Sequence, residues 1–152
     1  MDNKLNVINL FNWGYWIESE RTIEKLIKCV NKIDEVAKKH EYRIMSIDTR
    51  EGVQEMSHTG YIVFKPHSYC SAYELNKYLL NDYNDVQKDS SWYTYNFEYL
   101  IVTMLNSRCD IFTCVFWEGK LHLSGSNAEI IKELQAVEWD EVINTVVETG
   151  KQ

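Results

Sequence analysis

The stretch YTYNFEYLIVTMLNSRCDIFTCVFWEGKLHLSG, residues 93–125, decides the fold. Tyr93–Leu105 is dense in aromatic and β-branched residues, the types that suit a pleated, half-buried surface. Asn106, Ser107 and Arg108 then make a turn, and Asp110–Trp117 reads as a second strand. Glu118-Gly119 is a two-residue hairpin signal, Lys120–Ser124 a third strand, and Gly125 its end. Three strands joined by such short connections form an antiparallel meander.

Upstream of the meander the pattern predicts one more hairpin. Tyr42–Asp48 and Gly60–Lys65 have strand character, and the polar segment Thr49–Thr59 reads as a long loop between them. Pro66 is expected to stop the second of these strands. Ser71 and Glu74 form a capping box that opens a helix to about Tyr83, followed by a polar loop over Asn84–Ser91. Further back, Ile23, Leu26, Ile27, Val30, Ile33, Val36 and Ala37 recur at spacings of three and four. They predict a long helix from Glu20 to His40 with one apolar stripe. Leu5–Phe11 is a short apolar segment of β-character, and Asn12–Trp16 reads as a turn with aromatic anchors. Downstream, Ser126 and Glu129 make a second capping box before a helix through Gln135, and Glu138–Thr149 predicts another.

Strands joined by hairpins, with helices before, between and after, predict one α+β domain over residues 1–152. Its antiparallel sheet of about five strands (a hairpin plus the three-stranded meander) carries helices packed on it. There is no alternation of strand and helix units, and no phosphate-binding glycine loop.

At 152 residues the chain is long enough to bury a full core, and 26% charged residues with 45% hydrophobic ones exclude a disordered chain. The net charge is −7, so an average surface repels free nucleic acid, and no direct nucleic-acid partner is expected. No basic leader precedes an apolar core and no apolar run is long enough to span a bilayer, so the expected setting is the cytoplasm, away from membranes. Cys29, Cys70, Cys109 and Cys114 form no Cys-x-x-Cys pair and read as small buried hydrophobes in a reducing compartment. No calcium-loop or zinc-ligand spacing occurs, and neither metal nor cofactor is expected.

Residues that could carry chemistry are few. His122 and Ser124, two apart on a strand, share a face and could place a proton donor beside a phosphate. The symmetric second copy of that pair is missing, because His58-Thr59 and His67-Ser68 are adjacent residues. A small phosphoesterase or nucleotide-processing hydrolase built on His122 and Ser124 is therefore the alternative, with no catalytic set assigned.

Features suited to binding are more numerous. Tyr93, Tyr95, Phe97 and Tyr99 alternate and predict a stripe on one strand face, as a core layer or a partner surface. Trp13 and Trp16 bracket Gly14 and Tyr15 before the first helix as a further aromatic anchor. From Ser126 to Thr149 six acids face one base, a net of −5, with Glu138, Asp140 and Glu141 clustered. Together these predict a small acidic protein-binding module that occludes a larger partner, one with a basic surface, in the way of an inhibitor, an immunity protein or a phage anti-defence protein. A self-associating structural protein, dimerising through the aromatic stripe or a meander edge, is the third reading.

Overall fold

The computed structural model describes residues 6–11, 20–55, 62–87 and 93–144, with side chains placed at 6–11, 21–50, 67–79 and 99–144. In chain order the elements are β1 (Val7–Asn9), α1 (Glu20–Lys39), β2 (Arg43–Glu55), β3 (Ile62–Tyr69), α2 (Ala72–Gln87), β4 (Tyr93–Leu105), β5 (Ile111–Trp117), β6 (Lys120–Ser124), α3 (Ala128–Ala136) and α4 (Trp139–Asn144). The six strands form one sheet in the order β1-β6-β5-β4-β2-β3, every neighbouring pair antiparallel. The fold is α+β, as the sequence predicts, and the sixth strand comes from the N-terminal apolar segment, which pairs with β6.

The meander forms with the predicted β4 and β6 bounds. Glu118 and Gly119 both adopt positive φ, 51° and 81°, as a two-residue turn between right-twisted strands requires. Leu10 N–H donates to the Gly119 carbonyl at 2.9 Å, which ties the chain after β1 to that turn.

The upstream hairpin departs from expectation in two ways. β2 runs on to Glu55, through residues expected to be loop, because the long β4 offers it a partner as far as Tyr93. Pairing across a sheet outweighs the weak strand propensity of Glu51, Gly52 and Glu55. Pro66 lies within β3, opposite Arg50, and does not end it. β3 is the outermost strand, so the missing proline N–H costs no ladder bond on its open side.

Helix ends follow local chemistry. α1 closes through Glu41 at φ 63°, with Tyr42 N–H donating to the Ala37 carbonyl at 2.9 Å. At the start of α2, Ser71 Oγ accepts from Glu74 N–H at 3.1 Å while the Glu74 carboxylate accepts from Cys70 N–H at 3.0 Å. α2 continues to Gln87, past the expected end. α3 is capped by Asn127, whose side chain accepts from Ile130 N–H at 3.0 Å, and not by Ser126 one residue earlier. Either residue type can cap, and the backbone geometry selects the asparagine.

All four helices lie on one side of the sheet, with α1 in the middle touching α2, α3 and α4. Leu26 and Ile33 of α1, Leu75 and Leu79 of α2, and Ile130 and Leu134 of α3 are fully buried against Ile47, Leu100, Val102, Met104, Phe112, Cys114, Phe116 and Leu121. In α4, Trp139 and Ile143 close the core, and Trp139 Nε1–H donates to the Leu134 carbonyl at 2.8 Å. Among the described residues no buried side-chain polar atom lacks a hydrogen-bond partner. No described helix is long and apolar enough to cross a membrane.

Candidate functional site

A strand shows its side chains alternately to the two faces, and directly paired residues share a face. On the helix side that rule yields the buried set above. On the other side it yields rows that run across the sheet. One row is Ser46, Thr103, Thr113 and Ser124, a line of hydroxyls over β2, β4, β5 and β6. The next is Asp48, Ile101, Val115, His122 and Val7. The third is Arg50, Tyr99, Trp117, Lys120 and Asn9. Beyond the hydroxyl row, Leu105 pairs with Ile111.

No described helix covers this face. Phe112, Cys114 and Phe116 on the helix side of β5 are 0% exposed, whereas Ile111 and Trp117 at the ends of the same strand are 55% and 44% exposed. Ile101, Val115, Tyr99 and His122 are half-buried. At strand and residue spacings of about 4.8 and 3.4 Å, the patch measures about 20 Å in each direction. Its middle is aliphatic, one flank is hydroxylic, and the other pairs two aromatics with two cations. Asp48 accepts from Ser46 Oγ at 3.2 Å, which holds its carboxylate against the face.

His122 and Ser124 do sit together on this face, as their spacing predicts. His122's neighbour there is the Trp117 ring, with centroids 6.4 Å apart and planes tilted by 46°. Among the described residues no carboxylate or second histidine hydrogen-bonds His122, and no group of three or more His, Cys, Asp or Glu side chains converges as a metal site. His67, the other strand histidine, stacks on Tyr69 at 6.5 Å within β3, not in a loop.

The acidic end is exposed at Glu138, Asp140 and Glu141. Glu138 and Glu141 line a shallow groove of about 350 Å³ whose apolar wall is Val36, Ala136, Val137 and Val142, with Lys32 opposite. Asp140 lies outside the groove. Glu133, also on its wall, is held by an ion pair with Lys39 and by His40 Nε2 at 2.8 Å, and these two partners pull its carboxyl below the ordinary carboxylate range. That cluster fastens the end of α1 to α3.

The aromatic stripe of β4 is broken. Arg50 pairs with Tyr99, but the next residue of β2, Glu51, pairs with Phe97. Glu98 is thus an extra residue, and the two-residue repeat does not run through from Tyr93 and Tyr95 to Tyr99. Tyr93 and Tyr95 lie opposite Glu55 and Val53 in the register. Trp13 and Trp16 lie outside the described residues.

The cysteines divide. Cys29 and Cys114 are buried, and burial pushes the Cys29 thiol up to about 12 and raises Cys114 as well. Cys70 and Cys109 are exposed, against the expectation that all four are core. A hydrogen bond to Glu74 raises the Cys70 thiol, the opposite of what a nucleophile needs.

Ile111, Val115, Trp117 and Lys120 emerge as surface residues that no motif marks. Their signal was present: β5 alternates and Glu118-Gly119 fixes the β5–β6 register. Comparison with known proteins gives no match to a family model, a curated protein or a solved structure.

Proposed function

We infer that this chain is a protein-binding module that occludes a larger partner, in the manner of a small cytosolic inhibitor or immunity-type protein, and that it docks through the sheet face that no described helix covers. The observation that carries the reading is the alternation along β5. Phe112, Cys114 and Phe116 are fully buried, while Ile111 and Trp117 are exposed and Thr113 and Val115 half-buried on the opposite face, with no described element over them. Exposed apolar patches of roughly 300–600 Å² are often functional in folded domains. Tyr99, Trp117 and Arg50 in one row are the residue types that dominate binding energy at protein interfaces. The partner suited to this face has an apolar centre and carboxylates opposite Arg50 and Lys120.

The test is capture from an extract of the protein's own cells with wild type and Val115→Arg side by side. A charge at the middle of the patch should release the partner while circular dichroism stays unchanged. A partner held equally well by both proteins overturns the reading.

A second reading has its own observation. Glu138 and Glu141 share an apolar-walled groove, which suits a basic, partly apolar segment of a partner.

A further inference from the structure

We propose that a notch at one end of the sheet binds a free α-amino acid with an apolar side chain. The notch holds about 310 Å³ and lies between two turns. Glu41 and Arg43 line it where α1 passes into β2, and Ser107 lines it from the turn between β4 and β5. Its apolar lining is Ile44, Met45 and Leu105.

The backbone places the two charges. Glu41 takes φ 63° to end α1, and Arg43 opens β2 opposite Leu105. Tyr42 between them is buried in the core, which leaves both charged side chains exposed at the notch. Among the described residues neither side chain forms an ion pair or hydrogen bond, with the other or with a third group. A carboxylate and a guanidinium therefore line one small cavity without closing on each other. A simple carboxylic acid would face Glu41 as a like charge, and a simple amine would face Arg43. A zwitterion satisfies both: its ammonium donates to the Glu41 carboxylate, and its carboxylate accepts from the Arg43 guanidinium.

The apolar lining receives the ligand's side chain. Met45 is the extra residue where the β2–β4 register shifts, and it stands 50% exposed. A bulge re-aims a side chain, and the unbranched thioether of methionine adapts to differing apolar shapes. Ile44 and Leu105 beside it are half-buried. Both turns are held within the chain. Asn106 Oδ1 accepts from Arg108 N–H at 3.0 Å and from Asp110 N–H at 2.9 Å, and Glu41 N–H donates to the Lys38 carbonyl at 3.1 Å. The volume is at the low end of small-molecule sites, which run from about 300 to about 1,000 Å³, and it suits one amino acid. With two charge-assisted contacts at an open mouth, the expected dissociation constant is roughly millimolar. The notch lies beyond the hydroxyl row, away from Val115, and stands independently of the docking face.

NMR titration of the labelled chain with leucine tests this. Leucine should move the Met45 and Leu105 methyl signals and the Ser107 amide saturably, with half the effect at roughly 1 mM. Leucinamide lacks the carboxylate, N-acetylleucine lacks the ammonium, and glycine lacks the apolar side chain. Each should bind at least about tenfold more weakly than leucine. Arg43→Gln should remove the advantage of leucine over leucinamide, and Glu41→Gln its advantage over N-acetylleucine. Both positions are exposed, so both variants should keep the fold. No saturable shift by about 50 mM with leucine, methionine or phenylalanine overturns the proposal. Equal binding of leucine, leucinamide and N-acetylleucine overturns it too, as does leucine affinity unchanged in both variants. Val115→Arg should bind leucine as wild type does, so failure of the notch and failure of the docking face are read separately.

Discussion

Trp117 and His122 lie diagonally across the β5–β6 hairpin on the open face, their ring centroids 6.4 Å apart. The pair marks the aromatic flank of the patch, so Trp117 lies outside the core of the fold and on the proposed docking face. Trp117→Ala should lower stability by less than about 1 kcal/mol, as expected of a substitution away from the core. It should also cost about 2 kcal/mol or more in partner binding, roughly thirtyfold in Kd. Urea unfolding and calorimetric titration with the captured partner measure the two quantities. A large stability loss with unchanged affinity reverses the assignment.

Gly125 ends β6 directly against the buried Phe112 ring. A Cβ built there would approach Phe112 Cδ2 to 2.4 Å, and the ring is fully buried. Gly125→Ala should therefore destabilise by about 1–3 kcal/mol, the usual cost of overpacking a core. Chemical denaturation reads this directly, and Ser126→Ala next to it should be neutral by comparison.

Glu133 gives the fold an acid-sensitive clasp. Its carboxyl is held below the ordinary value of 4.5, first by Lys39 and then by His40. A carboxyl lowered in the folded state adds stability above its unfolded value, and loses it as pH falls through the folded one. Wild type should lose stability on acidification from about pH 5 downward, and Glu133→Gln should remove part of that slope while leaving an apolar α1–α3 contact. Thermal unfolding of both proteins between pH 7 and pH 3 measures the difference. Parallel curves would show that Glu133 adds nothing.

Glu138, Asp140 and Glu141 are exposed, but Asp140 and Glu141 stand in the first turn of α4, so reversing all three to Lys should lower stability by about 1–2 kcal/mol while leaving the fold intact. If the acidic groove helps to steer a basic partner, the triple variant should slow association severalfold at low salt with little change in dissociation. Stopped-flow binding distinguishes the two rates. Identical association rates remove the groove from the account.

The sequence made the meander legible because its signals are local: alternation in β5, a two-residue turn at Glu118-Gly119, and a turn at Asn106 whose side chain accepts from Arg108 and Asp110 N–H. The α1 stripe was legible for the same reason. What could not be read was nonlocal. The length of β2 depends on how far β4 can pair with it, and the place of Pro66 depends on β3 being an edge. The extra residues Met45 and Glu98 shift the β2–β4 register without any marker in composition. That shift breaks the expected Tyr93–Tyr99 stripe and sets Arg50 beside Tyr99. The candidate surface was half visible: Trp117–Lys120, Val115–His122 and Thr113–Ser124 follow from one hairpin, whereas Ser46, Asp48 and Arg50 join them only through register shifts. That all four described helices lie on one side of the sheet is likewise a property of the whole fold, which no single segment encodes.

The most direct measurement is a methyl-resolved NMR titration of the labelled chain with its captured partner. The account predicts that Ile101, Ile111 and Val115 methyls shift or broaden first, while Val36 and Val142 beside the acidic groove and Leu26 and Ile130 in the core stay in place. Unmoved Ile101 and Val115 signals in a saturated complex would contradict it.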